Sequence, residues 1–326
     1  MTESPGARLR ALFNNGETTL APFGALPIHA QMAERAGYEM FELSGATAAW
    51  WLFGVADVGW VTLTEVVDLA RRITRAVDIP VYADADTGYG GPVNVQRTVS
   101  EFIDAGVAGI HIEDQQNPKK AGGQPGIEII SDAEAIGRLN AACAARDRID
   151  PDFVIVARTD GYGTSGGGVE EAIRRGQLYK QETGVDVIFY EGFHTWEQVR
   201  TAIAATPGPA YSIPSLDMKQ RPPLKELSEM GQALEILPFV LPGVHDAWRI
   251  LLDVKKQDSY APMDEYFGRM AAAVGTPYGV HWGDVFGKPS YQEVRELEER
   301  FLPADQHRDY VNNINAQWSD DDQEKE

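Results

Sequence analysis

The sequence predicts an α/β fold, a (β/α)8 TIM-type barrel followed by a C-terminal helical extension. Three observations predict it. Eight short apolar runs recur between Thr19 and Phe239, separated by amphipathic helical stretches. The runs are mostly continuous rather than alternating, the pattern of parallel strands covered on both faces. Several helical stretches stop at a glycine, as in Ala36-Gly37, Ala105-Gly106 and Thr183-Gly184. Eight such units close a barrel; a doubly wound open sheet, the runner-up, usually needs fewer.

The elements follow in order. A strand at Thr19–Phe23 leads to a helix at Ile28–Ala36, stopped by Gly37, and then to a strand at Glu39–Leu43. A helix at Leu63–Val77 precedes the strand Pro80–Ala83. A helix at Val93–Ala105, stopped by Gly106, precedes Gly109–Ile112. Asp132–Ala145 is helical, with Cys143 on its packing face, and leads to Phe153–Ala157. The last three units pair Val169–Glu182 with Asp186–Tyr190, Trp196–Ala204 with Ala210–Ile213, and Leu224–Met230 with Leu234–Phe239.

Beyond Pro242 the strand alternation stops. Helices are expected at His245–Lys256, Met263–Ala273 and Tyr291–Phe301, with a Gly/Pro/aromatic stretch from Gly275 to Trp282 between the last two. This part is too thin in apolar residues for a core of its own, so it packs on the barrel or on a neighbouring subunit. The expected organisation is a catalytic barrel over residues 1–250, a helical extension over 251–318 and an acidic, solvated tail over 319–326.

Lys+Arg number 29 against 49 Asp+Glu, a formal charge of −20 over 326 residues. That balance excludes a nucleic-acid footprint and an anionic membrane surface, both of which need clustered cations. No run approaches the length of a membrane span, and Met1-Thr-Glu-Ser-Pro-Gly6 lacks signal-peptide order. Cys143 is the only cysteine, expected buried and inert, which fits a reducing cytoplasm.

In a parallel barrel, residues just past the strand C-termini converge on one face, and active sites form there. Those positions carry Ser44-Gly45-Ala46, Asp57 on the next loop, Asp84 and Asp86, His111 with Glu113, Lys119-Lys120, Arg158 and Glu191. Asp84, Asp86 and Glu113 leave adjacent strands, and carboxylates so crowded need a cation among them. Hard oxygen ligands without thiols favour Mg2+ or Mn2+ over Zn2+. The competing reading has these acids cap helices or pair with Arg97 and Arg158. Gly88-Tyr-Gly-Gly91 lacks the lysine of a phosphate loop and reads as a tight turn. Lys119 and Lys120 border a glycine-rich, mobile loop, and Arg158 can clamp a carboxylate or phosphate on two atoms. Together these features fit a small, multiply anionic substrate.

Asp84-Ala-Asp-Thr-Gly-Tyr-Gly90, Gly109-Ile-His-Ile-Glu-Asp-Gln115, Pro118-Lys-Lys120, Ala157-Arg-Thr-Asp160, Ile188-Phe-Tyr-Glu191, Ser44-Gly45 and the loop from Gly54 through Asp57 to Gly59 occur in this order. Over roughly residues 8–250 the chain resembles the isocitrate lyase/phosphoenolpyruvate mutase superfamily. The resemblance implies a barrel, Mg2+, 2-oxo or 2-hydroxy carboxylic acid substrates and an enolpyruvate-type intermediate. It also implies a homo-oligomer, dimer or tetramer, with a C-terminal helix exchanged between subunits. By position, Asp84, Asp86 and Glu113 hold the metal, partly through water, and Ser44-Gly45-Ala46 bind the substrate carboxylate. Arg158 pairs with a substrate oxygen, Asp57 faces the reacting carbon, His111 and Glu191 line the pocket, and Lys119 lies on the gating loop. Gly122 and Gly123 offer their backbone to further acid groups.

The chain departs from that pattern on the loop. Lyases of the superfamily carry Lys-Lys-Cys-Gly-His, where the cysteine moves the proton; here the residues are Lys119-Lys120-Ala121-Gly122-Gly123. Losing a placed general acid costs about 10²–10⁴-fold in rate. The Asn-Ser pair of the mutases is absent as well, and Tyr211-Ser-Ile-Pro-Ser215 lacks an expected Asn. The leading expectation is carbon–carbon cleavage by a lyase or decarboxylase, with the proton supplied by water, Lys119 or Tyr89. The alternatives are phosphorus–carbon chemistry, as in a phosphoenolpyruvate phosphonomutase or phosphonopyruvate hydrolase with Asp57 handling the phosphoryl group, and an inactive barrel with a binding role.

Overall fold

All eight apolar runs form strands in the computed structural model, which describes residues 3–215, 218, 220–279 and 289–310. They are β1 (Thr19–Gly24), β2 (Phe41–Leu43), β3 (Val81–Asp84), β4 (Gly109–Glu113), β5 (Val154–Thr159), β6 (Val187–Glu191), β7 (Ala210–Ile213) and β8 (Leu234–Leu237). Every pairing is parallel, in the order β7-β6-β5-β4-β3-β2-β1-β8. The two outer strands meet through one parallel bridge, Ala210–Gln232, and the Ala233 N–H donates to the Ala210 carbonyl at 3.0 Å. The sheet is therefore a nearly closed barrel.

Five strands run past their expected ends: β1 to Gly24, β3 to Asp84, β4 to Glu113, β5 to Thr159 and β6 to Glu191. Backbone pairing continues where the side chains turn polar, because the ladder bonds only main-chain groups. Register then sets the site: Asp84 lies opposite His111, Glu113 opposite Arg158, and Arg158 opposite Phe189.

The helices of the first unit are α1 (Pro5–Asn14), α2 (Pro27–Arg35), α3 (Gly45–Ala48), α4 (Leu63–Thr74), α5 (Pro92–Asp104), α6 (Asp132–Ile149), α7 (Val169–Glu182), α8 (Trp196–Ala205) and α9 (Leu224–Met230). Sequence periodicity did not reveal α1. Its start is nevertheless chemically marked, since Pro5 opens it and the Ser4 hydroxyl accepts from the Ala7 N–H at 3.1 Å. Leu9 and Phe13 of α1 plug the barrel interior, Phe13 edge-on to Tyr82 and stacked on Tyr211. Burying a side chain of this size contributes about 2–3 kcal/mol. After β2 the chain does not loop directly to Asp57: α3 passes into a π-helical turn over Ala49–Phe53, ended by Gly54 in the left-handed region.

Two apolar layers hold the barrel. Strand positions facing outward, such as Phe41, Leu43, Ala83, Ile110 and Ile112, pack against the helices. Positions facing inward, such as Tyr82, Val154, Val156, Phe189 and Tyr211, fill the interior. Cys143 is buried on α6, as expected, and burial pushes its thiol up to about 11.

The chain divides into two compact units, one ending at Val240 and the other starting at Leu241. The second unit carries α10 (Leu241–Gln257), α11 (Ala261–Ala273) and α12 (Tyr291–Phe301). None of these three helices has a buried residue, and Val244, Trp248, Leu251 and Leu252 of α10 are exposed. The expected acidic tail and residues 280–288 lie outside the described residues. No helix among the described residues is long and apolar enough to cross a membrane.

Candidate active site

Asp84 closes β3 with its side chain buried. Its Oδ1 accepts from the Asp86 N–H at 2.8 Å and lies 3.2 Å from the His111 Nε2; its Oδ2 takes the Gly45 N–H at 3.3 Å. Burial alone raises this carboxyl, but His111, Lys119 and Arg158 outweigh it and hold Asp84 below the usual carboxylate range. Asp86 lies beyond the strand end, so a left-handed backbone (φ 47°), and not strand alternation, aims it. Both carboxylates reach the same place, since a β-carbon on Gly45 would sit 2.7 Å from an Asp84 oxygen and 3.4 Å from an Asp86 oxygen. Gly45 therefore leaves the room that the acid pair requires.

Lys119 is the cation of this group. It is buried, with its Nζ 2.6 Å from Asp57 Oδ1 and 2.7 Å from Asp86 Oδ1. Burial pushes the ammonium down, yet Glu113, Asp86, Asp84 and Asp57 together outweigh it and keep it charged. For Asp86, burial dominates over Lys119 and places the carboxyl at about 6. Lys120 points elsewhere, its Nζ donating to the Gly126 carbonyl at 2.9 Å. The two adjacent lysines thus have different partners, and only Lys119 reaches the acids.

Arg158 is the second buried cation. Its Nε and NH2 donate to the two Asp160 oxygens at 3.0 and 2.9 Å, and its plane stacks 5.0 Å above the Phe189 ring. Glu113 Oε2 lies 3.3 Å from the Arg158 Nε and Glu191 Oε2 3.5 Å from its NH2. The competing reading is therefore right about Arg158, which pairs with Glu113. It is wrong about Arg97, which pairs with Glu101 on the surface at 3.3 Å. Glu191 sits at about 7, raised by burial against Arg158.

Neither Glu113 oxygen receives a hydrogen bond, although both are buried, and burial holds this carboxyl well above its ordinary range. A buried carboxyl without a donor is costly, and a hard cation beside it removes that cost. The all-oxygen donor set of Asp84, Asp86 and Glu113 fits Mg2+ or Mn2+ in chemistry. Among the described residues no three His, Cys, Asp or Glu side chains are gathered closely enough to hold a metal ion as they stand.

Ser44 caps α3, accepting from the Thr47 N–H at 3.4 Å, and its own N–H donates to the Gly24 carbonyl at 3.1 Å. With the Gly45 N–H on Asp84, the backbone N–H groups of both Ser44 and Gly45 are engaged within the protein. The loop lies against the site: the Ala121 N–H donates to the Asp57 carbonyl at 3.0 Å, and a β-carbon on Gly122 would overlap Glu191 Oε1 at 2.2 Å. Only glycine fits there without displacing that carboxylate. Gly123 adopts φ 76°, with open space where a side chain would go.

Three groups were not singled out from the sequence. Beneath the acids, the His111 Nδ1 lies 3.1 Å from the Tyr82 hydroxyl, which lies 2.9 Å from the Tyr211 hydroxyl. Gln115 and Asp160 brace the loop and Arg158. The third is Glu42, which faces the interior from β2 between outward Phe41 and Leu43; its Oε2 has no partner. Strand alternation counted back from Ser44 would have found it. Burial, then the Asp84 charge, raises Glu42 from 4.5 to about 8 against the pull of Arg158.

The sign of its effect follows. The folded state holds a proton on Glu42 that the unfolded chain releases above 4.5, so this contribution is present below 4.5 and lost as pH rises through 8. Glu42→Gln keeps the neutral shape at all pH. It is expected to exceed the parent in stability by a few kcal/mol at pH 8.5, with little difference near pH 4.5. Urea denaturation at the two pH values measures this; a gap that does not grow with pH contradicts it.

Residues 10–238 match the family model described as phosphoenolpyruvate phosphomutase. The chain is 39% identical over 251 residues to a 2,3-dimethylmalate lyase of Eubacterium barkeri, which covers 76% of this chain and 84% of that protein. It is 42% identical over 190 residues to a 2-methylisocitrate lyase of Escherichia coli, covering 58% of this chain and 62% of that one. Among solved structures, oxaloacetate acetylhydrolase in complex with the inhibitor 3,3-difluorooxalacetate superimposes with a TM-score of 0.78 at 30% identity, over 91% of this chain and 97% of that chain.

Proposed function

Because this chain belongs to the phosphoenolpyruvate phosphomutase family, an enzyme family of carbon–carbon lyases and phosphonomutases, we propose that it cleaves a carbon–carbon bond in a small 2-oxo or 2-hydroxy carboxylic acid, through an enolate-type intermediate and with a divalent cation. The observation that carries the reading is the buried Glu113 carboxyl, without a hydrogen-bond donor, beside Asp84, Asp86 and two buried cations. Asp84, Asp86 and Glu113 are the residues that would hold Mg2+ or Mn2+, which when bound would supply Lewis acidity to the 2-oxygen and the adjacent carboxylate.

The protein groups supply the rest. Arg158, fixed along one edge by Asp160, presents fixed positive charge where negative charge develops on substrate oxygen. Lys119 neutralises Asp57 and Asp86 and keeps Asp57 facing the reacting carbon. With Ala121 in place of a thiol, the proton needs another source. Lys119 and Tyr89 are poor ones, since both hold their protons more tightly than usual. Glu191, at about 7 and against Gly122, supports the role better. The exposed apolar side of α10 supports a homo-oligomer, which molar mass by light scattering tests: a monomer at micromolar concentration refutes it.

The enzymatic test is a panel of 2-hydroxy and 2-oxo diacids incubated with Mg2+ and followed by proton NMR. At least one acid is expected to yield a 2-oxo acid or carboxylate fragment. The rate should fall at least about 10³-fold with EDTA or with Asp84→Ala. No fragment from any acid, or a changed phosphorus spectrum with phosphonopyruvate instead, overturns the carbon–carbon reading.

A further inference from the structure

Gln115 follows β4 and is 1% exposed, yet the proposed chemistry makes no use of it. Its amide joins two parts of the site. Oε1 accepts from the Lys120 N–H at 2.8 Å and Nε2 donates to the Lys120 carbonyl at 2.9 Å, so one side chain grips both backbone groups of a loop residue. Nε2 also donates to Asp160 Oδ1 at 3.1 Å, the same oxygen that takes the Arg158 NH2 at 2.9 Å. The gripped residue is flanked by Lys119, whose ammonium lies between Asp57 and Asp86, and by Ala121, whose N–H is bonded to the Asp57 carbonyl.

We propose that Gln115 is a positioning residue, a latch that couples the seating of residues 119–122 over the strand ends to the orientation of Arg158. Only an amide can accept from one peptide group, donate to the next and still reach a carboxylate in one plane. When the loop lifts, a buried amide loses two partners, which disfavours the open state while the latch is intact. An anion on Arg158 steadies Asp160, and a steady Asp160 gives Gln115 a fixed acceptor from which to hold Lys120. Occupancy of Arg158 and closure of the loop thereby favour one another. The inference rests on the proposed anion-binding role of Arg158.

Trypsin cleaves after Lys119 or Lys120 only when the loop lifts, and oxalate with Mg2+ is a small planar probe for the Arg158 end. In the parent, oxalate–Mg2+ is expected to slow cleavage at these two bonds, read by mass spectrometry, about tenfold, which corresponds to about 1.4 kcal/mol. Gln115→Met keeps the side-chain volume and removes all three bonds. It is expected to bind oxalate within a few-fold of the parent by calorimetry, while protection falls below about twofold. Parent-like protection in Gln115→Met overturns the latch. Absence of oxalate binding in the parent overturns the functional reading instead. If Gln115→Met does not melt cooperatively, Asp160→Asn probes the coupling from the other end. It keeps an acceptor for Gln115 but weakens the grip on Arg158, and unchanged protection at saturating oxalate overturns the latch just as directly.

Discussion

Arg158→Met is expected to lower kcat/KM by about 10³–10⁴-fold on whichever acid the parent cleaves. A single donor aimed at a developing oxyanion is worth about 10²–10³-fold, and Arg158 offers both charge and a planar fork. The same change strands Asp160, Glu113 and Glu191, whose oxygens lie 2.9, 3.3 and 3.5 Å from its nitrogens. Removing one partner of a buried ion group costs about 3–5 kcal/mol, so the variant should also melt earlier. Arg158→Lys separates the two effects. It restores charge among the acids and most of the stability, but not two-point binding to Asp160, so kcat/KM should stay about 10²-fold down. Steady-state kinetics and thermal denaturation of both variants measure this. Parent-like kcat/KM in Arg158→Lys would show that charge alone matters, and parent-like kcat/KM in Arg158→Met would remove Arg158 from the chemistry.

The barrel was legible because its strands are buried on both faces and therefore read as continuous apolar runs. Apolar pattern also set the limits of that reading. It ended strands at Ala83, Ile112, Ala157 and Tyr190, where hydrophobicity stops, whereas the ladder continues into Asp84, Glu113, Thr159 and Glu191. The unforeseen part of these four strands is thus the part that carries the site. Asp84, Asp86, Glu113, Arg158 and Glu191 could be named in advance because a charged residue closing an apolar run is conspicuous. Glu42 escaped because it lies inside such a run, and an interior acid is noticed only if the inward positions are counted in twos.

What the loop does was less legible, since it depends on pairings distant in sequence. Lys119 and Lys120 are adjacent and chemically alike, yet one is buried between Asp57 and Asp86 while the other bonds to Gly126. The left-handed backbone at Asp86 and the amide of Gln115 make that distinction, and neither has a signature in composition or period. The absence of a thiol and an imidazole at Ala121 and Gly123 was plain from the sequence. Only the fold explains why Gly122 must stay small: the Glu191 carboxylate occupies the space a side chain would take.

Lys119→Met is expected to abolish turnover and to make folding depend on a divalent cation. The Lys119 ammonium lies 2.6 Å from Asp57 and 2.7 Å from Asp86, and four carboxylates keep it charged. Without it, Asp57 and Asp86 face one another uncompensated, at a cost of about 3–5 kcal/mol. Asp86 already sits at about 6, raised first by burial, and losing Lys119 raises it further. The variant relieves the repulsion by binding a proton, so its deficit should be small at pH 5 and should grow toward pH 8 as the proton leaves. A divalent cation offers the other relief: at pH 8, Mg2+ at about 100 times its Kd should restore about 2.7 kcal/mol. Mg2+ should therefore raise the melting temperature of Lys119→Met by more than that of the parent, in which the ammonium already neutralises the same oxygens. A variant as stable as the parent at pH 8 without metal would mean that the buried pairing contributes nothing. One that stays folded but gains nothing from Mg2+ would mean that these carboxylates do not hold a cation.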